Sequence, residues 1–149
     1  MKLVISSKSK LTAAGVKTAS AKKQQLLRQL AAEFTKAIAT GDPKSIAAST
    51  YYLGLAQWNY GDFLKNVQLP AGLTDAEQAA AQNGSSQQAE AYYTAAKNAW
   101  QALVQKADAD ETLKNSAGAA PWIERSRNAL NGNVDANPPT AARHAAAAV

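Results

Sequence analysis

Apolar positions recur at three- and four-residue steps through most of the chain. Leu27, Leu30, Ala31, Phe34, Ala37 and Ile38 form the first such series. It is one stripe of a helix predicted from about Leu11 to Thr40, with Gly15 dividing a weak first turn from a stronger remainder. The stop is well marked: Gly41 suits the residue after a helix end, Asp42 an N-cap and Pro43 a first helical position. A second helix, about 43–66, therefore follows at a tight corner, and the two are antiparallel neighbours.

The second helix has the densest aromatic content in the chain, with Tyr51, Tyr52, Trp58, Tyr60 and Phe63. Ala47, Gly54 and Gly61 are spaced by sevens, close to two helical turns, so they share one face. A glycine inside a helix costs about 1 kcal/mol against alanine. Two kept on one face point to another helix that must come very close.

After the loop Leu69-Pro70-Ala71-Gly72-Leu73, the residues Thr74 to Glu77 read as a capping box. They start a short helix to about Gln82, which Asn83-Gly84 closes. Ser85, Ser86 and Gln88 then cap a regular helix over about 86–107. Its stripe is Ala89, Tyr92, Tyr93, Ala96, Ala99, Trp100, Leu103 and Ala107. Residues 108–116 supply another turn or two. Pro121, at a first helical position, opens a helix over about 121–131 with Trp122, Ile123 and Leu130 inward, and Asn131-Gly132 ends it. The organisation expected is an arm over 1–10, an all-α domain over 11–132 and an Ala/Pro-rich tail over 133–149. Neither end has a helical stripe, so both are expected to be held by other chains and not by this core.

Composition supports the all-α class. Hydrophobic residues make up 46% of the chain, but many are Ala, and Ala, Gln, Lys and Leu favour helix. The absence of Cys removes disulfides, thiolate metal sites and Cys nucleophiles together. Nothing approaches 18 consecutive apolar residues, so a membrane span is excluded. Leu3-Val4-Ile5 is too short for a signal-peptide core, so any export signal would lie outside this chain.

Charge is uneven. Residues 1–40 hold eight Lys or Arg and one acid, Glu33, while residues 41–149 hold eight basic and ten acidic residues. The result is a basic arm on a nearly neutral body. It is either a surface that seeks phosphate or an acidic partner, or simply a solvated helix face.

The chain offers little chemistry. His144 is the only histidine and sits among tail alanines, so no Ser/His/Asp set can be built. Asp75 with Glu77, and Asp108, Asp110 with Glu111, lie at expected helix starts, where capping and the helix dipole explain them. A calcium site at 108–111 lacks the glycine turn and spacing of an EF-hand loop. Tyr51, Tyr92, Tyr93, Trp100 and Trp122 read as core in preference to a ligand cage. No catalytic, cofactor-binding or metal-binding residues are assigned.

The span from about 24 to 131 resembles tetratricopeptide-repeat proteins. The carrying residues are Tyr51-x-Leu53-Gly54 in a first-type helix, Pro43 at the repeat junction, and Phe34-x-x-Ala37-Ile38 in the helix before. It is most similar to a divergent, mainly periplasmic or envelope-associated bacterial subgroup. In that subgroup a loop like Pro70-Ala71-Gly72-Leu73-Thr74 leads to an Ala/Tyr-rich helix and then a Trp-containing one, here 89–103 and 122–130. Gln57 stands where the repeat usually has an aromatic, and 66–86 reads as an insertion. The resemblance implies a solenoid of hairpins stabilised by neighbour stacking, for which about three units are needed. Fewer than three fit, so the chain is either part of a longer one or completes its stacking on a partner.

Two functions follow as expectations. In the first, the chain is a non-catalytic protein–protein interaction, accessory or scaffold subunit of a larger assembly, using exposed Tyr52, Gln57, Tyr60, Asn98 and Gln101. In the alternative, a small helical structural subunit touches nucleic acid or an acidic surface through Lys8, Lys10, Lys17, Lys22, Lys23 and Arg28. Residues 1–33 contain one Arg and no aromatic, so no sequence-specific nucleic-acid recognition is expected.

Overall fold

The computed structural model describes residues 13–135, with side chains from Lys17 onward. Lys8, Lys10, His144 and the expected arm over 1–10 lie outside the described residues, as does the tail from 136. Five helices occur: α1 (Ala13–Ala39), α2 (Pro43–Lys65), α3 (Asp75–Ala109), α4 (Glu111–Lys114) and α5 (Ala120–Leu130), with no strand among the described residues. Their lengths, 27, 23, 35, 4 and 11 residues, do not repeat.

The first corner forms as its residues dictate. Gly41 takes φ +76°, a left-handed conformation that glycine adopts without steric cost. Asp42 accepts from the Ser45 amide at 2.9 Å and from the Ser45 hydroxyl at 2.7 Å. Those bonds, the hydroxyl's first, hold its carboxyl below the usual range. The chain reverses: Phe34 stacks on Tyr52 near the corner and Ser20 bonds Tyr60 at 2.8 Å farther away, so α1 and α2 run antiparallel.

The α2–α3 crossing is the centre of the molecule. A Cβ built on Gly54 would fall inside the Trp100 indole, with Cε2 at 2.7 Å and Cδ1 at 2.8 Å. Without that Cβ the ring lies on the α2 backbone, and its Nε1–H donates to the Tyr51 carbonyl at 3.1 Å. Two turns on, a Cβ built on Gly61 would fall 2.8 Å from Tyr93 Cε1 and 3.2 Å from the Ala89 carbonyl oxygen. The heptad of small residues thus seats two rings of one antiparallel partner. Tyr51, Trp100, Leu103, Trp122 and Ile123 anchor the larger cluster, where α5 closes over the ends of α2 and α3. Tyr60, Leu64, Ala89 and Tyr93 form the smaller one, and Trp58 touches both.

α3 differs from expectation. The capping box forms: the Thr74 amide donates to Glu77 Oε2 at 2.8 Å, and the Glu77 amide donates to Thr74 Oγ1 at 3.2 Å. The helix then runs through Asn83-Gly84 without a break, so there are not two helices at 74–82 and 86–107, and Ser85 and Ser86 are not caps. The physical reason is local. Gly84 faces open space and does not take a left-handed φ, while the Ala/Gln-rich flanks favour helix enough to carry one glycine. Gly84→Ala should therefore stabilise the protein by about 0.5–1 kcal/mol in a urea titration. A loss of stability would show that the helix breaks there.

Two further corrections concern the C-terminal part. Pro121 occupies the second helical position of α5, after Ala120; there too its missing N–H would have had no helical partner. The start of the tail packs on this chain's own core. Val134 is half-buried against the larger cluster, the Tyr51 hydroxyl donates to the Asp135 carbonyl at 2.6 Å, and Arg125 pairs with Asp135 at 3.3 Å. Val134 and Asp135 are thus held by this chain's own core.

Candidate functional site

α1 is covered on one side only. Leu27, Ala31, Phe34, Ala37 and Ile38 are half-buried against the body, yet among the described side chains α1 contributes none to the fully buried core. At 100° per residue Leu26 and Leu30 lie one turn apart, just past the line that faces α2. They are 51% and 44% exposed, the only exposed large hydrophobic side chains among the described residues.

Beside them runs a groove of about 260 Å³, lined by Lys23, Leu26, Leu27 and Leu30 of α1 and by Ala56, Asn59 and Tyr60 of α2. Ala56 is small enough to leave the space open. Tyr60 is a wall only 4% exposed, fixed by its bond to Ser20 and its edge contact with Tyr92 at 4.5 Å. A second cleft of about 250 Å³ places Arg28, with Gln24, Leu27 and Ala31, opposite Gln57 and Tyr92.

The electrostatics of α1 are one-sided. Lys17, Lys22, Lys23 and Arg28 are exposed. Among the described residues the ion pairs are Lys36–Glu33, Arg125–Asp135 and Arg127–Asp108, and none of them neutralises those four cations. Lys23 rests its ammonium 4.8 Å from the centre of the Phe63 ring, at the rim of the groove.

The structure therefore joins some of the expected site residues and separates others. Lys23 and Tyr60 share the first groove, and Arg28 and Gln57 share the second cleft. Tyr60 is a buried wall, a correction of its expected exposure. Tyr52 is also corrected: it is half-buried in an aromatic chain, 6.4 Å from Phe34 and 5.1 Å from Trp122. Asn98 and Gln101 are exposed on α3 but line neither groove. Leu26 and Leu30 went unrecognised as a surface. The signal was present, because Leu26, Leu27, Leu30 and Ala31 span an arc wider than one neighbouring helix covers.

Of the carboxylates considered for chemistry, Glu77 and Asp110 cap helix starts, whereas Asp108 falls in the last turn of α3 and not at a helix start. Glu77 closes the capping box, and its bonds to Thr74 hold its carboxyl below the usual range. Asp110 caps α4, and Asp108 pairs with Arg127 at 2.8 Å. Among the described residues no group of three or more His, Asp or Glu could hold a metal ion, and no helix is long and apolar enough to cross a membrane.

On the other side of α2, Tyr93 donates to Asp62 Oδ1 at 2.6 Å. Burial first, and then that acceptor, push the Tyr93 hydroxyl up to about 12. Its pKa is raised on folding, so the stabilisation is complete below about pH 10 and is lost as pH rises through about 12. Tyr93→Phe should flatten the fall in stability over that window. An unchanged slope would assign the fall to other groups.

No protein-family model, no curated protein and no solved structure matches this chain.

Proposed function

We propose that this protein is a non-catalytic interaction module, tetratricopeptide-like in its helical hairpins, that acts as an accessory or scaffold subunit. It seats a protein segment in the groove beside Leu26 and Leu30. The observation that carries this reading is the pair of exposed leucines at the edge of a pre-formed groove. Large apolar side chains grouped on a rigid face with a cationic rim are what a partner can desolvate. An envelope location is what the same resemblance implies.

The test is Leu26→Ser with Leu30→Ser. Each side chain is about half in water already, so the monomer should keep its fold and lose only about 1–2 kcal/mol. A photocrosslinker at Gln29, on the outer side of α1, should capture a partner in cells with the unaltered protein and lose it with the double variant. Equal capture by both would overturn the assignment.

A second reading is favoured by one observation: among the described residues Lys17, Lys22, Lys23 and Arg28 form no ion pair. They could meet the phosphates of a nucleic acid. Phe34 and Phe63 are already engaged by Tyr52 and Lys23, and Tyr92, opposite Arg28, is held edge-on against Tyr60. Such binding would be non-specific and would fade at about physiological salt.

A further inference from the structure

We infer that the occupant of the Leu26–Leu30 groove is an acidic amphipathic α-helix of a partner protein; this rests on the interaction reading above. The first argument concerns the backbone. Both walls are helices, whose amides and carbonyls are paired along their own length. The groove therefore offers no row of unpaired backbone groups to an extended segment, which would have to bury its own unsatisfied. A helix brings its backbone already paired and needs only side-chain contacts.

The second argument is shape. The apolar lining runs along α1 from Lys23 to Leu30, two turns or about 10 Å. On the α2 side the lining combines the small Ala56 with the ring of Tyr60. A partner helix laid along this line presents apolar anchors at i, i+4 and i+7, the spacing by which helices pack into such grooves.

Charge selects the class. The described part of α1 has Lys17, Lys22, Lys23, Arg28 and Lys36 against Glu33 alone. Lys36 and Glu33 cancel at 3.0 Å; Lys23 lines the groove and exposed Lys22 lies one turn before Leu26, and neither forms an ion pair among the described residues. Facing positions on the partner should hold Glu or Asp, giving faster encounter and a fixed orientation. A second copy of this chain fits less well. Its α1 brings the same excess of cations, and one Glu33 cannot offset Lys22 and Lys23 together at contact distances shorter than the screening length.

The probes are three labelled synthetic helices of about 18 residues, or five turns. They share leucines at i, i+4 and i+7 and differ only in their flanking residues, which are all Glu, all Gln or all Lys. Fluorescence anisotropy at about 150 mM salt should show the Glu helix binding at least about tenfold more tightly than the Gln helix, with the Lys helix not binding. Lys22→Glu with Lys23→Glu should reverse that order, and Leu26→Ser with Leu30→Ser should abolish binding while circular dichroism stays unchanged. Equal binding of the Glu and Gln helices would overturn the acidic class and leave the interaction reading standing. No binding by any helix would overturn the inference, and crosslinking from Gln29 would judge the interaction reading separately. Concentration-dependent dimers that vanish in the leucine variant would make the occupant a second copy, again overturning it.

Discussion

Gly54→Leu should lower the thermal midpoint by about 10 °C or more, an expected loss on the order of 2–6 kcal/mol in a domain of this size. Two effects add. Extra methylenes forced into a filled crossing cost about 1–3 kcal/mol, because the side chain or the helix must shift. Trp100 must then leave the α2 backbone, and its indole N–H loses the Tyr51 carbonyl while remaining buried. An orphaned buried donor costs about 1–3 kcal/mol by itself. Gly54→Ala is the graded control. Alanine gains up to about 1 kcal/mol of helix propensity, but its Cβ already falls inside the ring. A midpoint unchanged by leucine, or raised by alanine, would show that the two helices do not cross here as closely as described.

That crossing was legible in the sequence because its cause is local and costly. A helix tolerates Gly54 and Gly61 only where their missing side chains are used, and the heptad spacing already placed both on one face with Ala47. The stripe of α3 was nearly as plain: Ala89, Tyr93, Ala96, Trp100, Leu103 and Ala107 keep the helical period and are buried, while Tyr92 and Ala99 at its edges are half-buried. What the sequence could not supply was the competition between local signals and their surroundings. Asn83-Gly84 is a turn dipeptide by composition, yet in a run of Ala and Gln, on a surface with nothing nearby, helix continues more cheaply than it breaks.

The candidate site was the least legible part. Whether Tyr60 faces water depends on which side of α2 receives α1, and no residue of α2 states that alone. With α1 in place Tyr60 becomes a wall, while Leu30, read as part of the buried stripe, is left at the margin. The exposure of Leu26 and Leu30 is a property of the α1–α2 pair. It becomes visible only when the width of the apolar arc is compared with the surface one neighbour can cover.

The largest effect of any single side chain should come from Trp100→Ala. Trp100 is fully buried at the crossing, with Tyr51 at 6.1 Å and Trp58 at 5.8 Å between ring centres. Truncating a buried tryptophan costs about 3–5 kcal/mol in lost transfer energy and residual cavity. Against a total stability of about 5–15 kcal/mol, this variant should melt at a far lower temperature or lose its cooperative transition. Trp100→Phe should cost less, because it keeps a ring on Gly54 and leaves no donor behind. The decisive measurement is the double variant Gly54→Leu with Trp100→Ala. Leucine at 54 then enters space that alanine at 100 has vacated, so the harm of the first substitution should shrink or change sign. The coupling should reach about 1 kcal/mol or more in urea titrations. Strict additivity would mean that Gly54 and Trp100 do not share one space, and the account of the crossing would fall with it.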